Sequence, residues 1–356
     1  MARVTSHRPC HAVAPAIVRM FTEEAMYQPE AYAVALLFMI VSMLCWGSWA
    51  NTMKLTAGYA FQLFYWDYVT GVMLGSLIWG FTLGSLGGGP LAFLSNIQQA
   101  DSSHILFALA GGVVFNVANL LLVAAIDIAG LAVAFPVGIG LALIVGVLLN
   151  YVIAPKGHPG LLFGGMALVV LAIIFDARAY RRRNSEQHSI TARGIWISIV
   201  CGILMGSFYP LVTKAISGPA SLGPYSVAFF FSLGVALCAI PVNYLFMRKP
   251  LTGTSPVRMS GYFEAKPAWH VWGVIGGVIW CTGTIFNLVA SHAQIIGPAV
   301  SYAIGQGATM VSALWGVLIW KEFVNAPPAS RKLIPAMFLF FLLGLGSIAI
   351  APIVRH

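Results

Sequence analysis

Ten stretches of this chain stay apolar for roughly twenty residues at a time, and this constrains the fold more than any motif does. A hydrocarbon layer about 30 Å thick takes roughly 20 residues of helix. Inside that layer the backbone has only itself to bond to. The stretches run over 32–52, 61–84, 104–126, 128–150, 160–175, 194–213, 225–247, 271–291, 296–319 and 333–353. They are too long and too free of charge for buried strands, and they lack the two-faced periodicity of soluble amphipathic helices. The sequence predicts an all-α integral membrane protein with ten transmembrane helices. With 59% hydrophobic and 8% charged residues, a water-soluble domain of 356 residues is excluded.

The formal net charge is +9, but the basic residues sit in short loops and not on one face. They read as topology signals, so no nucleic-acid partner is expected. Counting alternate loops, 13 Lys and Arg, including Lys54, Arg178, Arg183, Arg248 and Lys321, fall on one side, and 6, including Lys156 and Lys214, on the other. The richer side is expected in the cytoplasm, with both termini on the opposite face of a cell (inner) membrane. Residues 1–25 lack the order of a signal peptide and read as a disordered or non-native extension, with Met26 as the expected start. The five cysteines show no metal-like spacing and read as small apolar side chains.

The two halves repeat. GLAVAFPVGIGLALIVG at 130–146 aligns without gaps on GPAVSYAIGQGATMVSA at 297–313, and GGVVFNVANLLLVAA at 111–125 lies over GGVIWCTGTIFNLVA at 276–290. WGSWANTMK at 46–54 lies over MGSFYPLVTK at 205–214 with one inserted residue. Five spans per half is an odd number, so the second half enters the membrane upside down. The expectation is a 5+5 inverted-topology repeat, the architecture secondary transporters use for alternating access. The units are 26–176 and 194–356, joined by a basic cytoplasmic linker at 177–193. Gly130, Ala134, Gly138, Ala142 and Gly146 form a small-residue ridge in the fourth span, and Gly297, Ser301, Gly305, Thr309 and Ala313 form one in the ninth.

Polar residues inside the spans are the candidate site. Asp67 is the one formal charge within the ten stretches as bounded above. Two readings stay open for it: a proton-coupling or substrate-binding carboxylate, or a structural residue near the interface amid Tyr65, Trp66 and Tyr68, which look like an aromatic belt. Asn116 and Asn119 share a helix face, and the matching span carries Trp280, Thr284, Asn287 and Ser291 at helical spacing, with Thr284 aligned on Asn119. Two such stripes converge on the pseudo-two-fold axis; interhelical hydrogen bonding is the alternative. Trp46, Trp49 and Asn51 in the first span and Tyr209 before Pro210 in the sixth suit a flat or polyhydroxylated neutral solute. Tyr302 and Gln306 add i,i+4 neighbours in the ninth. Lys54 and Lys214 are expected to snorkel to headgroups, Glu322 to pair locally with Lys321, and Asp127 and His292 to lie in tight turns.

No GxxxxGK[ST], HExxH or GxSxG motif is present, and the first span has no acidic residue. ATP hydrolysis, zinc proteolysis and serine hydrolysis have no visible basis, so the chain reads as a non-enzyme with no cofactor or metal, driven by a gradient or facilitating passive flux. WDY at 66–68, GGVV at 111–114, the spacing from Asn119 to Gly130, GVLLNY at 146–151, LWGVLIWKE at 314–322 and SRK at 330–332 give it a resemblance to the ureide permease family. That family lies in the drug/metabolite transporter (EamA-like) superfamily, beside the glucose/ribose porters and the rhamnose-proton symporter. The resemblance runs from Met26 over nearly the whole chain. It implies the ten-helix inverted-repeat fold and proton-linked uptake of a small polar uncharged metabolite such as a ureide, nucleobase or sugar. Plant members have a long central loop where this chain has a short arginine-rich link, and tend to have an acidic residue where it has Phe135. The competing classes are an exporter, a passive channel and a receptor on the same fold. The partners expected are the lipid bilayer, the solute and protons, with a monomer as the simplest assembly.

Overall fold

The structure is a computed structural model that describes residues 29–86, 92–183, 191–251, 255–293 and 296–354. The extension at 1–25 and the middle of the expected linker lie outside the described residues. Ten helices are long and apolar enough to cross a membrane: α1 Tyr32–Lys54, α2 Phe61–Ser85, α3 Ser102–Ala129, α4 Pro136–Ile153, α5 Pro159–Arg183, α6 Ala192–Ala215, α7 Pro224–Arg248, α8 Pro267–His292, α9 Pro298–Ile319 and α10 Pro328–Ile350. Among the described residues there is no strand. The fold is thus an all-α membrane bundle.

Two bounds differ from the sequence reading. α5 continues past 175 to Arg183, which puts Asp176 inside a spanning helix. A hydropathy scan stops at the first charges, whereas helical bonding continues while Asp176 and Ala179, on one face, stay buried. α3 runs through Asp127 to Ala129, and the chain reverses at Gly130, whose φ of 75° suits glycine. Asp127 is therefore helical, not in a tight turn. His292 likewise closes α8 as its last residue. α6 stays continuous through Pro210.

The packing follows small residues. α3 lies against α6 and α7; α8 lies against α1 and α2; α4 meets α6 and α9; α5 pairs with α10. Gly71 of α2 and Gly277 of α8 face each other so closely that a Cβ on Gly277 would run into the Tyr68 carbonyl and the Val72 amide. At Gly112 of α3, the residue aligned with Gly277, a Cβ would meet the Phe231 carbonyl and the Val235 amide of α7. Close backbone approach of this kind is how helices associate in lipid, where no hydrophobic effect drives them together. The ridge in α4 packs the same way: Gly202 and Gly206 of α6 sit on the Gly138 and Ala142 carbonyls.

Both ridge helices are interrupted near their shared GxG. The fourth span starts as a helical turn at Leu131–Ala134, widens to a π-turn at Phe135–Ile139 and becomes α-helical from Gly140. α9 breaks at Gln306 and Gly307 between two helical pieces, and Gly307 N bonds the Ile304 carbonyl at 2.9 Å. Such breaks loosen the internal hydrogen-bond ladder and are tolerated at membrane depth only inside protein or beside a cavity.

The Gly71–Gly277 contact yields a direct expectation. Gly277→Val should cost about 1–3 kcal/mol through overpacking against backbone that has no side chain to rearrange. In detergent its thermal midpoint and monodisperse yield should fall well below those of Gly346→Val, at a glycine whose added Cβ meets nothing within 4 Å.

Candidate functional site

Tyr65 and Tyr68, one turn apart on α2, are fully buried, so they are not headgroup-level belt residues. Their face of the helix meets other helices instead of lipid. Tyr65 donates its hydroxyl to Asn116 Oδ1 at 2.8 Å, and Asn119 Nδ2 donates to the Tyr65 oxygen at 3.4 Å. The two amides of α3 thus meet on one phenol. Among the described residues Asn116 Nδ2 has no hydrogen-bond partner of good geometry, and the Cys238 sulfur, a weak acceptor, lies at hand.

On the matching face, Trp280 of α8 is the centre of an aromatic box. Phe115 lies at 4.4 Å between ring centroids, Phe231 at 5.9 Å, Trp46 at 6.2 Å and Tyr68 at 6.3 Å. Trp49 extends the box, packing on Tyr68 at 4.7 Å. The Trp46 indole donates to Thr284 Oγ1 at 3.1 Å. The Tyr68 hydroxyl is buried in this neighbourhood without a partner among the described residues. An unpaired buried hydroxyl costs about 1–3 kcal/mol, and a group left so is a place for a ligand to bond.

One turn further along α8, Asn287 gathers a second amide cluster. Its Oδ1 accepts from Tyr209 at 2.6 Å and from Ser301 at 2.9 Å, and its Nδ2 donates to the Ser301 carbonyl at 3.0 Å and to Ser42 at 3.3 Å. Tyr302 packs against Tyr209 with the rings tilted, 5.1 Å between centroids, and donates to the Ala142 and Met205 carbonyls. Gly305 is held without a side chain because a Cβ there would meet the Trp46 ring at 2.6 Å and Asn287 Nδ2 at 2.9 Å. Gln306 follows it at the break in α9 and is half-buried. Of the residues singled out from sequence, Asn119, Asn116, Trp46, Trp49, Trp280, Thr284, Asn287, Tyr209 and Tyr302 come together in these linked clusters. Asn51 stands apart, accepting from the Trp320 indole at 2.6 Å near the Lys54 end of the bundle.

Asp67 also lies toward that end. It is 2% exposed and accepts from Tyr59 at 3.0 Å and Tyr262 at 2.6 Å, with His270 Nδ1 at 3.0 Å from both oxygens. Gly273 of α8 leaves it room. Burial, then the Asp67 hydrogen bond and charge, push the Tyr262 hydroxyl up to about 12. Tyr59 is raised as well, by burial first and then by the charge of Asp67. Both remain protonated donors at neutral pH. Nothing in sequence pairs Asp67 with Tyr262 and His270, which are some two hundred residues away.

At the same end Glu322 pairs across helices and not with its neighbour Lys321. Lys54 Nζ reaches Oε1 at 2.5 Å, Arg183 reaches Oε2 at 2.9 Å, and Tyr180 donates at 2.8 Å. Lys54 is therefore an ion-pair partner and does not simply snorkel. Lys321 itself stands at a φ of 50° in the turn that follows α9. Burial raises the Glu322 carboxyl, but hydrogen bonds from Lys54 and Tyr180 and the charges of Lys54 and Arg183 outweigh it, leaving a net lowering from 4.5.

The missed polar residues each had a weak signal. Asn150 accepts from Thr213 at 2.6 Å, a buried amide that sequence offered only as a span end. Ser42 is not singled out in sequence, Ser301 reads there only as a member of the small-residue ridge, and Asp176 as a loop residue.

Ten spanning helices around a buried centre of aromatic rings and neutral amides form a transporter scaffold. The ureide permease family model matches residues 64–193 and 186–351, and the chain belongs to that family. Ureide permease 1 of Arabidopsis thaliana is 23% identical over 89% of this chain and 96% of its own length. Ureide permease 4 of the same plant is 21% identical over 89% and 96%. The glucose uptake protein GlcU of Staphylococcus xylosus is 22% identical over 81% and 88%. A crystal structure superposes with a TM-score of 0.61 over 90% of this chain and 96% of its own, at 16% identity, a likeness of fold alone. These permease relatives make the protein a membrane transporter and not an enzyme.

The Glu322 pairs carry a pH signature. A carboxyl whose folded value lies below its ordinary one adds stability above the ordinary value and loses it as pH falls through the folded one. The thermal midpoint of the protein should exceed that of Glu322→Gln at pH 7, and the gap should close as pH drops below about 4.5 in a detergent melting series.

Proposed function

We propose that this protein is a secondary active transporter that takes up a small polar uncharged metabolite, of the ureide, nucleobase or sugar kind, by proton-coupled alternating access. The observation that carries this reading is the Trp280 box, where aromatic faces meet the Tyr65, Asn116 and Asn119 group and the unpartnered Tyr68 hydroxyl. Flat rings and neutral donors and acceptors, with no carboxylate among them, suit an uncharged solute. The names of the ureide and glucose relatives agree with that chemistry. The paired glycine crossings and the two interrupted GxG helices support an inverted repeat, which provides two gates around one site.

Asp67 is the proposed coupling carboxylate. It ties α2 to the start of α8 through His270 and to the short helix before it, Ser260–Phe263, through Tyr262. Trp280 follows His270 on the same helix by ten residues, about 15 Å at 1.5 Å per residue. Protonating Asp67 would weaken its hold on both partners and free this end of α8 to shift, which moves Trp280, Thr284 and Asn287 together. The basic-loop bias favours the Lys54 end as cytoplasmic and an inner-membrane location with both termini outside the cytoplasm.

In proteoliposomes, uptake from a panel of allantoin, uracil, xanthine, rhamnose, ribose and glucose should saturate for at least one solute and accelerate under an imposed inward proton gradient. Non-saturating flux for all of them sinks the transporter mechanism in favour of a channel. Asp67→Asn should abolish accumulation against a gradient yet spare solute exchange; unchanged accumulation rejects its coupling role. Asn119→Ala should raise the KM of the accepted solute roughly 3- to 10-fold, the loss of about one hydrogen bond.

A further inference from the structure

At the Lys156 end of the bundle, opposite Lys54, a cavity of about 360 Å³ opens where α4, α6 and α8 end and α9 begins. Its polar lining comes from Lys156, Thr213, Ser217, Ser221, Ser291 and His292. No carboxylate is among the lining residues. The ammonium only donates, and the four hydroxyls and the imidazole donate or accept. Such a lining repels cations and favours a solute rich in acceptor oxygens; that the solute is neutral follows from the transporter reading above.

The floor of the cavity is joined to the amide clusters already described. Ser291, 6% exposed, has a buried hydroxyl beside that of Tyr209 but without a hydrogen-bond partner of good geometry among the described residues. It stands one helical turn from Asn287, which accepts from Tyr209. Thr213 leans the other way, donating to Asn150 at 2.6 Å. The cavity therefore sits directly over the Tyr209 and Asn287 group that backs the Trp280 box.

The opposite end is tied by ion pairs. The Lys54, Glu322 and Arg183 pairs close α1, α5 and α9 together there. A crevice of about 20 Å³ between α2, α3 and α7 lies at that end. Aligning the ridges of α4 and α9 puts Pro155 at the place of Glu322. Lys214, the counterpart of Lys54, therefore lacks the matching acid and lies over the Phe107 ring at 5.5 Å.

We infer that this cavity is an outer subsite of the transport path, in which Ser291 and its neighbouring hydroxyls first bind an acceptor-rich neutral solute arriving from the non-cytoplasmic face. The inference rests on the transporter reading above. Because Ser291 Oγ has no hydrogen-bond partner of good geometry among the described residues, Ser291→Ala should not lower the thermal midpoint. It should raise the KM for uptake from the non-cytoplasmic face roughly 3- to 10-fold, as for one lost hydrogen bond. The KM for exit, measured from the cytoplasmic face in oriented vesicles, should stay within about two-fold. Equal change on both faces, or no change on either, overturns the subsite. A second measurement needs no flux: Ser217→Cys should react with a membrane-impermeant maleimide from the non-cytoplasmic face, above the background of the parent chain. Allantoin, uracil or glucose should slow that reaction. Slowing by one of them supports the subsite even where no saturable flux is found and the transport reading itself fails. Labelling that none of the three slows, or labelling only from the cytoplasmic face, overturns it.

Discussion

The close crossing of α2 and α8 at Gly71 and Gly277 is the contact on which the rest of the bundle depends. In lipid two helices gain little by hiding apolar surface, so they stay together through dispersion contact and backbone proximity. Glycine at both positions brings the Tyr68 carbonyl against Gly277, and this closeness carries Tyr68 and Asp67 of α2 up to Trp280 and His270 of α8. The crossing of α3 and α7 at Gly112 and Gly234 does the equivalent for Asn116 and Phe115, setting Phe115 beside Phe231. Larger residues at these crossings would push apart the walls of the aromatic box.

Within that frame the polar groups follow one economy. An amide in hydrocarbon must be paired or face a ligand. Asn287 is fully engaged, with Tyr209, Ser301 and Ser42 around it, and acts as a rigid corner that ties α1, α6, α8 and α9 together. Asn116 and Tyr68 are not fully engaged, and they lie on the side of the box nearest α2 and α3. Stiffness on one wall and unspent bonding capacity on the other is the arrangement expected where a solute is gripped and then released.

Much of this was legible in the chain. The ten spans follow from apolar length alone, since lipid admits little but helices. The clustering of Trp280, Thr284 and Asn287 was readable because helical spacing fixes which residues share a face. The same logic placed Asn116 beside Asn119 but could not show that both converge on Tyr65, a residue the sequence offered as a belt aromatic. Belt and core tyrosines look alike in sequence, and only the neighbour on the other side of the ring distinguishes them. Asp176 was lost for a related reason: charge marks the end of an apolar run, not the end of a helix.

Sequence by itself determined the membrane class, the count of spans and the helix faces, because each rests on local periodicity and on the cost of exposing backbone to lipid. Tertiary structure alone decided which groups meet across those faces. Glu322 bonds Lys54 and not the adjacent Lys321, and Asp67 bonds Tyr262 and His270. Asn51 bonds Trp320 and stays outside the central cluster, though it lies only two residues beyond Trp49. Each of these pairings depends on where two distant helices come to rest, and the reach of a side chain is too short for any local rule to foresee it.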